Sequence, residues 1–157
     1  MFRFSKDDDS PRQRQLRGLS LFSTRQADCL PLVNGLLHER SFLQDEVIFD
    51  QGEEGQALYI IESGKVLICR QGQSAGGKIA ELGPGRLFGE LALLDNSPRV
   101  AQARAVESCT LAVLFRADFL GLLETHAVIA SKISLQLARH IGQRLRETVN
   151  APGNQSE

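Results

Sequence analysis

From Leu16 to Arg40 the apolar positions Leu16, Leu19, Phe22, Leu30, Val33, Leu36 and Leu37 fall at helical spacing, which predicts short N-terminal helices. Ser23 followed by Gln26 resembles a capping box for the second of them, and Pro31 calls for a kink or a late start near Asp28. From Ser41 the period changes. Residues 47–49, 58–61, 66–69, 79–82, 100–105 and 109–115 form short runs rich in β-branched side chains. Turn chemistry divides them: GEEG at 52–55, Ser63-Gly64, QGQSAGG at 71–77 and GPG at 83–85. Strands of this length and spacing predict an antiparallel barrel or sandwich, of jelly-roll kind, with the 71–77 loop as a hairpin tip.

After Phe115 the helical period returns, with a short helix over 118–126 and a longer one from 128 to about 149. Ile129, Ile133, Leu137, Ile141 and Leu145 recur every four residues, with Leu135 and Ala138 alongside. They make one apolar stripe about four turns long. Gly142 weakens that helix by about 1 kcal/mol relative to Ala. The stripe has two uses open to it, packing on the chain's own barrel or against a second copy of the helix, and a homodimer is the expectation. The organisation that results is mainly β with flanking helices. A tail spans 1–15, one domain spans 16–149 (barrel about 40–115, helices about 117–149), and a second tail spans 150–157.

Composition narrows the function classes. The chain has 157 residues, 42% hydrophobic and 24% charged, with a formal net charge of −1. That is one ordinary globular domain without a basic footprint for nucleic acid. No apolar run approaches the roughly 20 residues that cross a bilayer, and MFRFSKDDDSPRQRQ lacks the apolar core of a secretory signal. Cys29, Cys69 and Cys109 are odd in number and widely spaced. They read as small core hydrophobes in a reducing cytoplasm, not as a disulfide, zinc or iron–sulfur set. His38, His126 and His140 form no metal-ligand pattern, and no Ser–His or Cys–His pairing stands out, so a non-enzymatic role is expected.

The candidate chemistry lies in GPGRLFGELALLDNSPRVAQARA at 83–105, where Glu90 and Arg99 stand among Gly, Ala, Leu and Pro. Glu90 follows a glycine at a predicted helical turn, a place where free backbone N–H groups collect and bind anions. An arginine fork takes phosphate oxygens in pairs. A carboxylate repels phosphate, so its task is to accept hydrogen bonds from sugar hydroxyls. The ligand these groups suit is a small nucleotide with one accessible phosphate. The other reading of the same two residues is that Glu90 and Arg99 pair with each other.

GEEGQALYIIESGKV at 52–66, taken with GPGRLFGELALLDNSPRVAQARA, resembles the cyclic-nucleotide-binding domain family. EVIFDQG before the turn, SGKV after the strand and RADFLGLL ahead of the last helices extend the likeness over roughly 19–148. The resemblance implies a jelly-roll barrel (a double-stranded β-helix) with a phosphate-binding cassette between two strands. It implies that Glu90 holds the ribose 2′-hydroxyl with Gly89 as adjacent backbone donor, and that Arg99 neutralises the cyclic phosphate. It places Ala92 and Ala101 where backbone N–H groups reach phosphate oxygens, with Leu91 and Val100 in the same two stretches. Val100 has no hydroxyl, which tilts the implied ligand toward cAMP over cGMP. Arg144 falls near the family's purine-capping position, where it either stacks on the base or remains an exposed cation near the helix end. The expected partners are the nucleotide, a second copy through the last helix and an unidentified protein effector, with no cofactor, no membrane and no direct DNA contact. The chain stops about where relatives append an effector domain, so it reads either as a stand-alone sensor or as part of a longer regulator.

Overall fold

The computed structural model describes residues 30–70 and 77–150. The expectations placed on 1–29, including the Ser23 cap and Cys29, on loop residues 71–76 and on 151–157 lie outside the described residues.

A short helix α1 (Leu30–Leu36) leads into eight strands: β1 (His38–Phe42), β2 (Val47–Phe49), β3 (Ala57–Ser63), β4 (Val66–Cys69), β5 (Lys78–Leu82), β6 (Leu87–Phe88), β7 (Gln102–Ala105) and β8 (Cys109–Phe115). A 3-10 turn at Glu90–Leu93 separates β6 from β7, and helices α2 (Arg116–Thr125) and α3 (Ala127–Asn150) follow β8. The strands form two antiparallel sheets, in the orders β1-β8-β3-β6 and β2-β7-β4-β5. That interleaving, in which each strand of the first half pairs with one of the second, is the jelly roll the turn spacing predicts.

The period-2 alternation of a strand divides the core into two layers. Ile61, Cys109 and Leu111, with Phe88 of β6, face the second sheet, where Phe49, Val66, Leu82, Ala103 and Ala105 meet them. Leu58, Ile60, Ala112 and Leu114 of the same strands face the other way, under Phe119, Leu122, Ala130, Ile133 and Leu137 of the last two helices. β3 and β8 are therefore covered on both faces, and they read as continuous apolar runs for that reason.

Several sequence expectations need correction. β1, HERSF, is a strand whose first four residues are exposed. Among the described residues it pairs on one side only, with β8, and its polar side chains suit such an edge. β6 is two residues long and carries no readable pattern. The strand expected over 100–105 begins only at Gln102, and Val100 is 69% exposed in the loop before it. The long helix carries two apolar faces, not one stripe. Ile133 and Leu137 are buried on the barrel and Ile129 packs beside them. Leu145, expected to continue that face, is 62% exposed, and Val128, Leu135 and Val149 on the opposite side are exposed as well.

Because α3 is fastened to the barrel through Ile133 and Leu137, truncating Leu137 opens a cavity in the helix–sheet layer. Leu137→Ala is expected to cost about 2–5 kcal/mol of unfolding free energy, measured as a lowered denaturant midpoint at unchanged slope.

Candidate functional site

The 83–101 segment is built by anchoring its ends and bending sharply between them. The turn before β6 is tied to β3 by Gly85 N–H to Ile61 O at 2.8 Å and Ile61 N–H to Arg86 O at 2.9 Å. Phe88 then sinks between the sheets, stacked on Tyr59 with ring centroids 5.2 Å apart. Gly89, at φ 75°, reverses the chain into the 3-10 turn. A side chain there would be strained and would press a Cβ to 2.7 Å from Arg99 Nη1. Ala92 and Leu93 are buried and pin the turn, and the Ala92 N–H expected to reach a ligand is engaged with Gly89 O at 3.3 Å. Arg116 braces the turn from outside, donating from Nη1 to Asp95 O at 3.0 Å.

The loop carrying Arg99 is clamped by backbone bonds. Arg99 N–H donates to Glu53 O at 2.7 Å, and Gly52 N–H donates to Arg99 O at 2.8 Å. With its main chain held on the 52–54 loop, the side chain turns inward and is only 9% exposed. Nη1 donates to Gly89 O at 3.0 Å and Nη2 to Ala57 O at 2.8 Å. The guanidinium carbon lies 4.1 Å from the Phe49 ring centroid, a cation–π contact. Gly55 makes room for it, since a Cβ at that position would lie 2.9 Å from Nε. Nε itself is buried with no hydrogen-bond partner. Burial pulls the Arg99 pKa below its ordinary value, partly offset by Tyr59, Glu53 and Glu90.

Glu90 is 5% exposed, and its partners come from α3. Arg144 Nη1 donates to Oε1 at 2.8 Å, and His140 Nε2 stands 3.7 Å from the same oxygen. The reading in which Glu90 and Arg99 satisfy each other is thus replaced: the carboxylate is held by Arg144, while the guanidinium is held by two carbonyls. Arg144 is likewise not an exposed cation at the helix end but a partly buried side chain paired with Glu90.

All eight residues singled out in the sequence, Gly89, Glu90, Leu91, Ala92, Arg99, Val100, Ala101 and Arg144, line one cavity of about 120 Å³. Phe49, Ile68, Phe88, Ser97 and Pro98 complete its walls. Phe88, Ser97 and Pro98 belong to the same 83–105 segment but are apolar or small and carry no chemistry that marks them, whereas Phe49 and Ile68 come from β2 and β4, which pairing with β7 brings alongside. His140 also escaped sequence reading, although its spacing four residues before Arg144 puts both on one helix face. Among the described residues no group of His, Cys, Asp and Glu side chains is placed to hold a metal ion, and no helix is long and apolar enough to cross a membrane.

Residues 39–126 match the family described as "Cyclic nucleotide-binding domain". The chain belongs to that family. The cyclic AMP receptor protein of Thermus thermophilus is 41% identical over 135 residues, covering 84% of this chain and 60% of the relative. The crystal structure of the Thermus thermophilus catabolite activator protein superposes with a TM-score of 0.71 at 39% identity, over 82% of this chain and 59% of that one. A cAMP-dependent protein kinase regulatory subunit from Eremothecium gossypii is 36% identical over 118 residues, covering 71% of this chain and 25% of the relative. The match thus spans less than two thirds of the length of both curated relatives.

At Gly89 in this cyclic nucleotide-binding domain, backbone conformation and side-chain packing both oppose a Cβ. Gly89→Ala is expected to lower unfolding free energy by about 1–3 kcal/mol, read from chemical denaturation. A variant as stable as the parent would show that the left-handed turn is not required.

Proposed function

We propose that this domain binds a cyclic nucleotide, cAMP in preference to cGMP, and signals its occupancy through the last helix without catalysing a reaction. The observation that carries this reading is the shared cavity: a desolvated guanidinium with an unused Nε–H faces the same space as a buried carboxylate. An anion is the ligand that best compensates a cation taken out of water, and a bidentate phosphate contact suits the arginine fork. Glu90 then accepts from ribose hydroxyls, and the Gly89 and Ala101 backbone allows close approach without bulky side chains. Leu91, Ala92 and Val100 line the same space. Val100 offers no hydroxyl to a guanine amino group, which favours adenine. Arg144, released from Glu90 by the incoming ribose, caps the purine face. The names of the relatives agree with this ligand class.

The second apolar face of α3 supports a homodimer. Val128, Leu135, Gly142 and Val149 recur every seven residues, with Ser131, Ala138 and Leu145 at the intervening heptad positions. This is the seam of a two-stranded coiled coil, with small residues that let the helices approach closely. Leu145 is adjacent to Arg144, so seam and site share a helical turn. A nucleotide that draws on Arg144 therefore biases the helix pair, which makes occupancy readable by a protein effector or an attached domain. A cytoplasmic location fits this signalling role.

A second reading has one observation in its favour, that Glu90 is already satisfied by Arg144. In that case the fold serves as an interaction or dimerisation module. Calorimetric titration of cAMP separates the two. Arg99→Gln should weaken binding by about 10- to 100-fold, the loss of a charge-assisted phosphate contact. An absence of heat with cAMP, cGMP and a cyclic dinucleotide at millimolar concentration would sink the sensor and leave the module.

The dimer is tested separately. Leu135→Glu combined with Leu145→Glu puts like charges into the seam, and light scattering should find a monomer where the parent chain is a dimer. A monomeric parent chain would remove the helix pair from the mechanism.

A further inference from the structure

Two side chains of α3, one turn apart, converge on a single carboxylate oxygen. Arg144 Nη1 holds Glu90 Oε1 at 2.8 Å, and His140 Nε2 waits 3.7 Å from that oxygen. The waiting nitrogen is buried and has no hydrogen-bond partner. A desolvated ring nitrogen beside a carboxylate, just beyond bonding distance, is placed to bond if the present partner withdraws.

We propose that His140 is a positioning residue that replaces Arg144 at Glu90: when a ligand draws Arg144 away, His140 Nε2–H donates to the carboxylate and keeps it aimed into the cavity. The proposal rests on reading the cavity as a nucleotide site, because it is the ligand that draws Arg144 off. An exchange of this kind leaves Glu90 one oxygen for ribose hydroxyls while the other stays anchored to the helix. Without it, the carboxylate would lose its only short bond from α3 at the moment the ligand needs it oriented.

The exchange has a protonic consequence. The charged groups facing His140 are Glu90 on the 3-10 turn, Arg144 and Glu147 on its own helix, and Arg86 in the turn before β6. Burial, with Arg144 and Arg86, holds the imidazole below its ordinary value against the opposing pull of Glu90 and Glu147. That direction favours the neutral imidazole while Arg144 sits on Glu90. Withdrawing Arg144 removes one repelling cation and bares the carboxylate, so the imidazole takes up a proton. A ligand whose binding takes up a proton binds more tightly as pH falls.

The test follows the His140 ring by NMR titration in the whole chain, its signal assigned from a His140→Gln variant. Arg144→Gln should raise the His140 midpoint by about half a pH unit or more with no ligand present, and Glu90→Gln should lower it. Saturating cAMP should raise the midpoint in the parent chain. The affinity for cAMP should increase several-fold from pH 8 to pH 6, an increase that His140→Gln abolishes. An unchanged midpoint in Arg144→Gln overturns the exchange whatever the ligand does. A raised midpoint with no binding of cAMP or cGMP upholds competition at Glu90 and overturns the nucleotide reading instead.

Discussion

A guanidinium enclosed by backbone carbonyls and an aromatic face is the constraint around which this domain is organised. Arg99 spends Nη1 and Nη2 on Gly89 O and Ala57 O, and lies over Phe49. Those contacts join the cassette, the start of β3 and the end of β2, three elements far apart in the chain. The cost of taking a cation out of water is offset only in part, because Nε keeps no partner. Two glycines exist at these positions because the guanidinium occupies the space a Cβ would need. The inner wall of the cavity is thus a compromise in which the protein's own carbonyls hold the charge that a ligand is proposed to complete.

The outer wall belongs to a different layer. Glu90 reaches across from the 3-10 turn to Arg144 on α3, the helix whose earlier residues Ile133 and Leu137 are sunk into the barrel. The near half of that helix is fastened by apolar burial, whereas the far half is joined to the barrel at the site by a charge pair. Apolar burial is insensitive to what enters the cavity. A charge pair is not, since any group that competes for the carboxylate changes the link. A single continuous helix therefore carries an apolar attachment near its start and a charged one further along.

Legibility in the sequence tracked the periodicity of each segment. β4 and β8 appear over the residues expected, because each is an apolar run bounded by turn residues, and β2 follows the same rule. β1 was invisible because an edge strand of charged and polar residues carries no alternation, and it is held instead by backbone bonding to β8. α3 misled in a more instructive way. A repeat of four residues and a repeat of seven coexist on it, and counting apolar positions merges two faces that point to different neighbours.

The sequence by itself determined the chemistry of the cassette. Gly89, Glu90 and Arg99 lie within one short segment, and short-range spacing is fixed by covalent geometry. What it did not determine is who partners whom. That Arg99 bonds to Ala57 and Gly89, that Glu90 is held by Arg144, and that His140 stands beside that pair are outcomes of tertiary packing. They depend on how β3 and α3 come to lie against the turn, across separations of dozens of residues. Local pattern sets which groups are available, whereas the relative placement of layers, set by burial of both faces of β3 and β8, decides which of those groups meet.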